Sequence, residues 1–206
     1  MKPVERKIYL ASKSPRRREL LRQIGVDFEL LLLRSDGPRG ADVTEEVLPD
    51  EPADIYVRRV ANEKADVAFD LSRRRHLRPR PVLTADTTVA VDGVILGKPA
   101  GKDEAQAMLQ RLSGRTHDVL TTVAVRTHDF ADSFTQVSQV RFAQLKPADI
   151  AAYCATTEPY DKAGGYGIQG LAAMFIEHIE GSHSGIMGLP LFETADLLRR
   201  AGLRLP

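Results

Sequence analysis

The chain has 206 residues, and its 29 Lys and Arg nearly balance 28 Asp and Glu, for a net charge of +1. That length suits one domain, and the balance excludes a whole-surface nucleic-acid binder, which carries a clear basic excess. The single cysteine, Cys154, excludes an intramolecular disulfide framework and fits a reducing compartment; with no secretory core or membrane-length apolar run, a soluble cytoplasmic protein is expected.

The first element is a short apolar strand from Ile8 that runs into the turn of IYLASKSPRRRELL, residues 8 to 21. Ser14 is a good N-cap and Pro15 suits the first helical position, so a helix opens here and Gly25 ends it. Arg16, Arg17 and Arg18 crowd the N-terminus of that helix, where cations oppose the dipole. A polyphosphate in front of them would explain the placement; a solvated basic turn would use the same residues. Within the cluster Arg17 shares a helical stripe with Leu20, Leu21 and Ile24 and is expected to anchor inward. Arg16 is the better phosphate ligand, and Arg18 is the most expendable.

Phe28 to Leu33 reads as a buried strand, and Arg34 to Asp54, rich in Gly, Pro and acids, as a partly mobile active-site loop. A helix from Ile55 places Val57, Val60, Ala61 and Val67 or Ala68 on one stripe, with Lys64 on that same apolar face. A lysine there either snorkels or has a partner. Arg73 to Arg80 is a basic connector. Val82 to Ala85 reads as a short strand and Val89 to Leu96 as a hairpin turning at Asp92-Gly93. A helix carrying Ala105, Met108, Leu109 and Leu112 stops at Ser113-Gly114, and strands at about 116–126 and 133–144 form an antiparallel pair. Pro147 opens a helix to about Ala155, Leu171 to Ile179 resembles a strand, and Pro190 opens the last helix, with Leu191, Thr194, Ala195 and Leu198 on one side. Alternating strand and helix patterns make this an α/β chain.

Three groups of residues carry candidate chemistry. Asp86, in TADTT, follows an apolar strand, so the acid is expected at a strand's carboxyl end, where α/β sites gather; it suits a metal ligand or general base, or a plain turn aspartate. Lys98, in Gly97-Lys98-Pro99, lies within reach of the same point. The glycine-dense loop from Asp161 to Gly170 carries Lys162 and Gln169, the latter suited to reading a base edge. Gly165, Gly167 and Gly170 spell GxGxxG, but the motif follows a helix and a polar loop and leads into an apolar strand, the reverse of the strand-then-helix order of a dinucleotide fold. No GxxxxGK[ST] is present, the five histidines lack metal-ligand spacing, and Cys154 has no obvious base partner.

Five ordered blocks, LASKSPRRRELL at 10–21, YVRRVANEKA at 56–65, TADTTVAVDGVILGKP at 84–99, LSGRTHDVLTTVAV at 112–125 and DKAGGYGIQG at 161–170, resemble the Maf family of nucleoside triphosphate pyrophosphatases. The resemblance spans nearly the whole chain. It implies a single α/β Maf-like (ITPase-like) domain over residues 1–206, of two lobes around an extended mixed β-sheet with flanking helices. Ala85-Asp86-Thr87 and Tyr166 to Gly170 look like the branch hydrolysing dTTP and UTP, a house-cleaning activity cutting between the α and β phosphates. By the same resemblance Asp86 is the proton acceptor, and Arg16, Thr87 and Gln169 occupy specificity positions. Ser12, Lys64, Lys98 and Lys162, with Arg17, line the substrate site.

A divalent metal cation, Mg or Mn, is the implied cofactor, with Asp86 and Glu45 as its ligands. Arg34 to Gly40 reads as an insertion before Asp42-Val43-Thr44-Glu45-Glu46, so Glu46 or Asp36 competes with Glu45 for the family's acidic position. The expected partner is a nucleoside triphosphate, with no nucleic acid and no membrane, and a homodimer is left open. Two rival readings are a non-catalytic nucleotide-binding regulator of cell division or septum formation, and an RNA or DNA binder using the Arg runs.

Overall fold

A computed structural model describes residues 7–34 and 40–205, so Asp36 lies outside the described residues. Strand β1 (Lys7–Leu10) leads into helix α1 (Pro15–Gln23), as the capping residues predict. Ser14 Oγ accepts from Arg17 N–H, Pro15 takes the first turn, and Gly25 supplies the positive φ of 68° that ends the helix. Strand β2 (Asp27–Leu30) lies beside β1, and α2 (Ala53–Arg74) follows the long loop. Next come β3 (Val82–Val91), β4 (Val94–Leu96), α3 (Lys102–Leu112), β5 (Thr116–Arg126), β6 (Ala131–Phe142) and α4 (Pro147–Tyr153). Three 3₁₀ turns, β7 (Ile176–Glu180), α5 (His183–Ile186) and α6 (Leu191–Arg200) complete the chain. The architecture is α/β, on one mixed sheet of seven strands in the order β2-β1-β3-β5-β6-β7, with β4 on β3.

Strand alternation sorts the core onto two faces of this sheet. On one face α2 lays Tyr56, Val57 and Val60 on Ala90 and Leu120, and Ala61 and Ala65 on Ala124. On the other, Leu83, Ala85, Val123 and Val125 pack with α1 and α6, while Val89, Val91 and Val119 pack with α3 and α4. Burying each large aliphatic side chain contributes roughly 1.5–3 kcal/mol. The buried stripe of α2 runs through Ala68, not Val67, and that of α6 through Thr194, Leu197 and Leu198, with Ala195 left half-buried.

Three expectations are corrected. The Phe28–Leu33 run is not a continuously buried strand: β2 is at the sheet edge, Leu30 and Leu32 are exposed, Leu31 is buried, and Phe28 and Leu33 are half-buried against the core. An edge strand covered on one face has no use for continuous burial. Val82–Ala85 and Val89–Leu96 are not separate strands, because β3 runs unbroken to Val91 before the hairpin at Asp92 and Gly93, whose φ values of 52° and 73° fit a type I′ turn. Asp86 is therefore mid-strand, opposite Thr122 of β5, and neighbouring β-branched threonines keep the backbone extended through it. Leu171–Phe175 is a 3₁₀ turn, and the last strand begins only at Ile176.

One feature of the sheet positions the site. β1 pairs with β3 only at Val82 and Leu83, and β4 only from Val89 to Val91. Among the described strands, residues 84–88 therefore have β5 as their neighbour on one side and a gap on the other. Asp86 sits at that gap, just beyond the carboxyl end of the parallel strand β1. The strand end expected at Asp86 belongs to its neighbour.

Candidate active site

Asp86 is buried, and its carboxylate meets the one lysine on the apolar face of α2: Lys64 Nζ lies 2.7 Å from Asp86 Oδ1. The same ammonium is 2.8 Å from Glu45 Oε1. Glu45 is delivered there by the start of α2, where the Tyr56 hydroxyl donates to the Glu45 carbonyl and Arg59 to the Glu46 carbonyl. Arg59 is itself held by Glu51 through hydrogen bonds of 2.6 and 2.8 Å. Glu45, not Glu46, reaches the site, and the described loop around it is fastened to α2.

The electrostatics follow from this packing. Burial pushes the Asp86 carboxyl up, against the opposing charge and hydrogen bond of Lys64 and the charge of Arg17. For Glu45 burial also pulls upward, but Lys64, Lys98 and Arg17 outweigh it and hold the half-exposed carboxyl below its ordinary value. The two carboxylates thus share one cation, with further positive charge close by.

Arg17 does what its stripe predicts. Its guanidinium donates from Nε to Gly188 O at 2.7 Å, from Nη1 to Ser12 Oγ at 3.2 Å and from Nη2 to Thr87 Oγ1 at 3.1 Å. All three acceptors are neutral. Burial pulls the guanidinium pKa down, partly offset by the charge of Asp86. Thr87 follows Asp86 in β3, so its hydroxyl points to the opposite face of the sheet, where it also pairs with Thr121 Oγ1 at 2.9 Å. Arg18 braces the turn through the carbonyls of Lys13 and Ser14.

The remaining predicted residues form the rim. Arg16 reaches Asp161 at 3.8 Å, tying the mouth of α1 to the glycine-rich loop. Gly164 N–H donates to Gly97 O at 3.0 Å and brings that loop against the segment carrying the exposed Lys98. Lys162 pairs with Asp161 and donates to Glu158 O at 2.7 Å. Gln169 is exposed in a turn closed by Gly170 N–H to Gly167 O. The structure thus brings Asp86, Lys64 and Glu45 into direct contact, with Arg17 and Lys98 within their field. Arg16 and Lys162 meet at Asp161, Ser12 meets Arg17, and Gln169 stands apart.

Residues outside the predicted set support the loop from behind. His117 Nε2 and the Tyr166 hydroxyl share a hydrogen bond of 2.7 Å, inside an edge-to-face cluster with Phe142. Thr121 donates to Gly185 O at 2.8 Å, joining β5 to α5. Glu158 and Tyr153 hydrogen-bond to each other at 3.1 Å below Gly170. A buried histidine carries no spacing signal, and an acid in a polar loop looks solvated, so neither stands out before folding.

The family model described as Maf-like protein matches residues 7–201 of this chain. The chain belongs to the Maf family. Among its Maf relatives, the dTTP/UTP pyrophosphatase of Aromatoleum aromaticum is 55% identical over 207 residues, covering 100% of both proteins. A protein of the same name from Ralstonia nicotianae is 57% identical over 199 residues, covering 96% of this chain and 95% of its own. That of Cupriavidus metallidurans is 55% identical over 196 residues, covering 95% and 97%. The solved Ham1 protein of Staphylococcus aureus overlays on 68% of this Maf chain and 73% of its own, with a TM-score of 0.47 and 15% identity.

Proposed function

We propose that this Maf chain is a nucleoside triphosphate pyrophosphatase that hydrolyses dTTP and UTP to the nucleoside monophosphate and diphosphate. The observation that carries the reading is the buried Asp86 carboxylate at the sheet gap, held at 2.7 Å by Lys64 and faced through that lysine by Glu45. Full-length relatives named dTTP/UTP pyrophosphatase supply the substrate class.

The donor set fits a hard divalent cation. Mg²⁺ is commonly held by one or two carboxylates together with substrate phosphates, and Asp86 and Glu45 converge on a single ammonium. Those two residues would hold Mg²⁺ or Mn²⁺, which supplies charge neutralisation on the phosphate oxygens when bound.

The chain's own residues do the rest. Asp86 orients a water and accepts its proton as the water oxygen attacks the α-phosphorus, and the α–β bridging oxygen leaves with the diphosphate. Lys64 keeps Asp86 aimed and opposes the upward pull of burial on its carboxyl. Arg16, Lys98 and Lys162 place cations around the mouth, where they stabilise charge that develops on the phosphates. Arg17 sets Ser12 at the floor of the turn. Gln169 recognises the base edge, and Thr87 acts through Arg17. The enzyme is cytoplasmic in this reading, and among the described residues no helix is long and apolar enough to cross a membrane.

A panel of dTTP, UTP, CTP and 7-methyl-GTP, assayed for diphosphate release with and without Mg²⁺ or Mn²⁺, tests the proposal. Metal-dependent turnover of dTTP and UTP above the others is expected; preference for the methylated purine, or binding without turnover, sinks it.

A further inference from the structure

The loop from Lys162 to Gly170 carries two of the proposed substrate residues, yet it belongs to neither strand nor α-helix. Glu158, in the 3₁₀ turn Glu158–Asp161, fastens it. Its Oε2 accepts from Leu171 N–H at 2.7 Å, and its Oε1 accepts from Ala172 N–H at 3.2 Å and from the Tyr153 hydroxyl at 3.1 Å. Those amides open the 3₁₀ turn Leu171–Phe175, so the carboxylate caps its N-terminus with charge-assisted bonds. The backbone dipole of Gly167 faces the Tyr153 oxygen and offsets part of the rise that burial gives the phenol. The Glu158 carbonyl accepts from Lys162 Nζ at 2.7 Å. One residue therefore holds Lys162 directly and, through the Leu171 and Ala172 amides, the end of the segment that presents Gln169.

Two glycines record how tight this clamp is. Gly170 has φ −106°, open to any residue, but a Cβ there would fall 2.3–2.4 Å from the Glu158 carboxylate atoms. A Cβ on Gly167 would fall 2.9 Å from Lys162 Cε. Space selects glycine at these two positions, whereas at Gly165 the φ of +71° does so and at Gly164 both a φ of +70° and Val89 do.

We infer that Glu158 is a positioning residue for nucleotide recognition: its cap and its carbonyl set where the Gln169 amide and the Lys162 ammonium stand. It acts on substrate affinity and base preference, not on water attack at Asp86. The inference rests on the proposed binding of the nucleotide against this loop.

Glu158→Gln tests it, because the amide keeps the shape while its NH₂ group opposes one of the backbone donors. KM for dTTP and UTP should rise about tenfold, the size expected from weakened charge-assisted bonds, with kcat within about threefold. The preference for dTTP over CTP should fall by a similar factor, and amide exchange over 166–172 should quicken. A second test couples the clamp to its glycine. Gly170→Ala should raise KM about tenfold with Glu158 present but less than about twofold in a Glu158→Ala background, where the new methyl has room.

Unchanged KM, preference and exchange in Glu158→Gln would overturn the inference. So would equal effects of Gly170→Ala in both backgrounds, or a loss of kcat shared by all substrates with KM held. A wild-type protein inactive on every triphosphate overturns the pyrophosphatase reading instead, while exchange over 166–172 still reports whether the clamp exists.

Discussion

Lys64 Nζ and Asp86 Oδ1 lie 2.7 Å apart across the interface of α2 and β3, and the carboxylate is buried. A buried carboxylate stays ionised only when a positive charge or hydrogen bonds offset its lost hydration. Lys64→Met keeps the apolar stem and removes the charge, so Asp86 should bind a proton and lose its capacity as a base. The expected result is a fall in kcat for dTTP of about 10²-fold or more, with the melting temperature little lowered because a protonated Asp86 is tolerated. Activity within a few-fold of wild type would separate Lys64 from the chemistry.

His117 supplies a pH-dependent stability. Burial holds its imidazole pKa down at about 4, below the ordinary 6.5. Between those values the unfolded chain binds more protons than the folded one, so stability rises with pH across that window. The contribution is complete above pH 6.5, falls as pH drops through it, and is exhausted below about 4, for a total on the order of 3 kcal/mol. Urea unfolding at several pH values should show this slope, and His117→Phe should flatten it while adding a constant cost from the unpaired Tyr166 hydroxyl. An identical slope in the variant would assign the acid sensitivity elsewhere.

Gly164 and Gly93 separate two reasons for being glycine. Both have positive φ, +70° and +73°, but a Cβ at Gly164 would lie 3.0 Å from Val89 Cγ2, whereas none at Gly93 meets anything within 4 Å. Gly93→Ala should cost about 1 kcal/mol for backbone conformation alone. Gly164→Ala adds a clash with a core valine and should cost about 1–3 kcal/mol more, measured by denaturant midpoint. Equal costs would mean that the glycine-rich loop yields freely around β3.

Local chemistry was legible in the sequence wherever a short stretch decides its own conformation. Ser14-Pro15 opened α1, Asp92-Gly93 turned a hairpin, and the apolar stripe of α2 located Lys64 before any partner for it was known. The inward turn of Arg17 followed from the same periodicity. What escaped depends on contacts distant along the chain. β3 seemed to break at Asp86 because its polar run gains sense only once Lys64, Arg17 and Thr121 pair with it. β2 reads as buried because an edge position is a property of the sheet, and nothing in sequence marks Glu158, because its carboxylate accepts from amides 13 and 14 residues on. The direction of Thr87, opposite to its neighbour Asp86, needed only the knowledge that the strand does not stop.

The account stands or falls on Asp86 as the proton acceptor. Asp86→Asn preserves size and one carbonyl acceptor for Lys64 while removing the base. Diphosphate release from dTTP, measured beside dTTP affinity by calorimetry in the same preparation, should fall by at least about 10³-fold with affinity changed less than about tenfold. Turnover at a tenth of the wild-type rate or better, with binding intact, would contradict it.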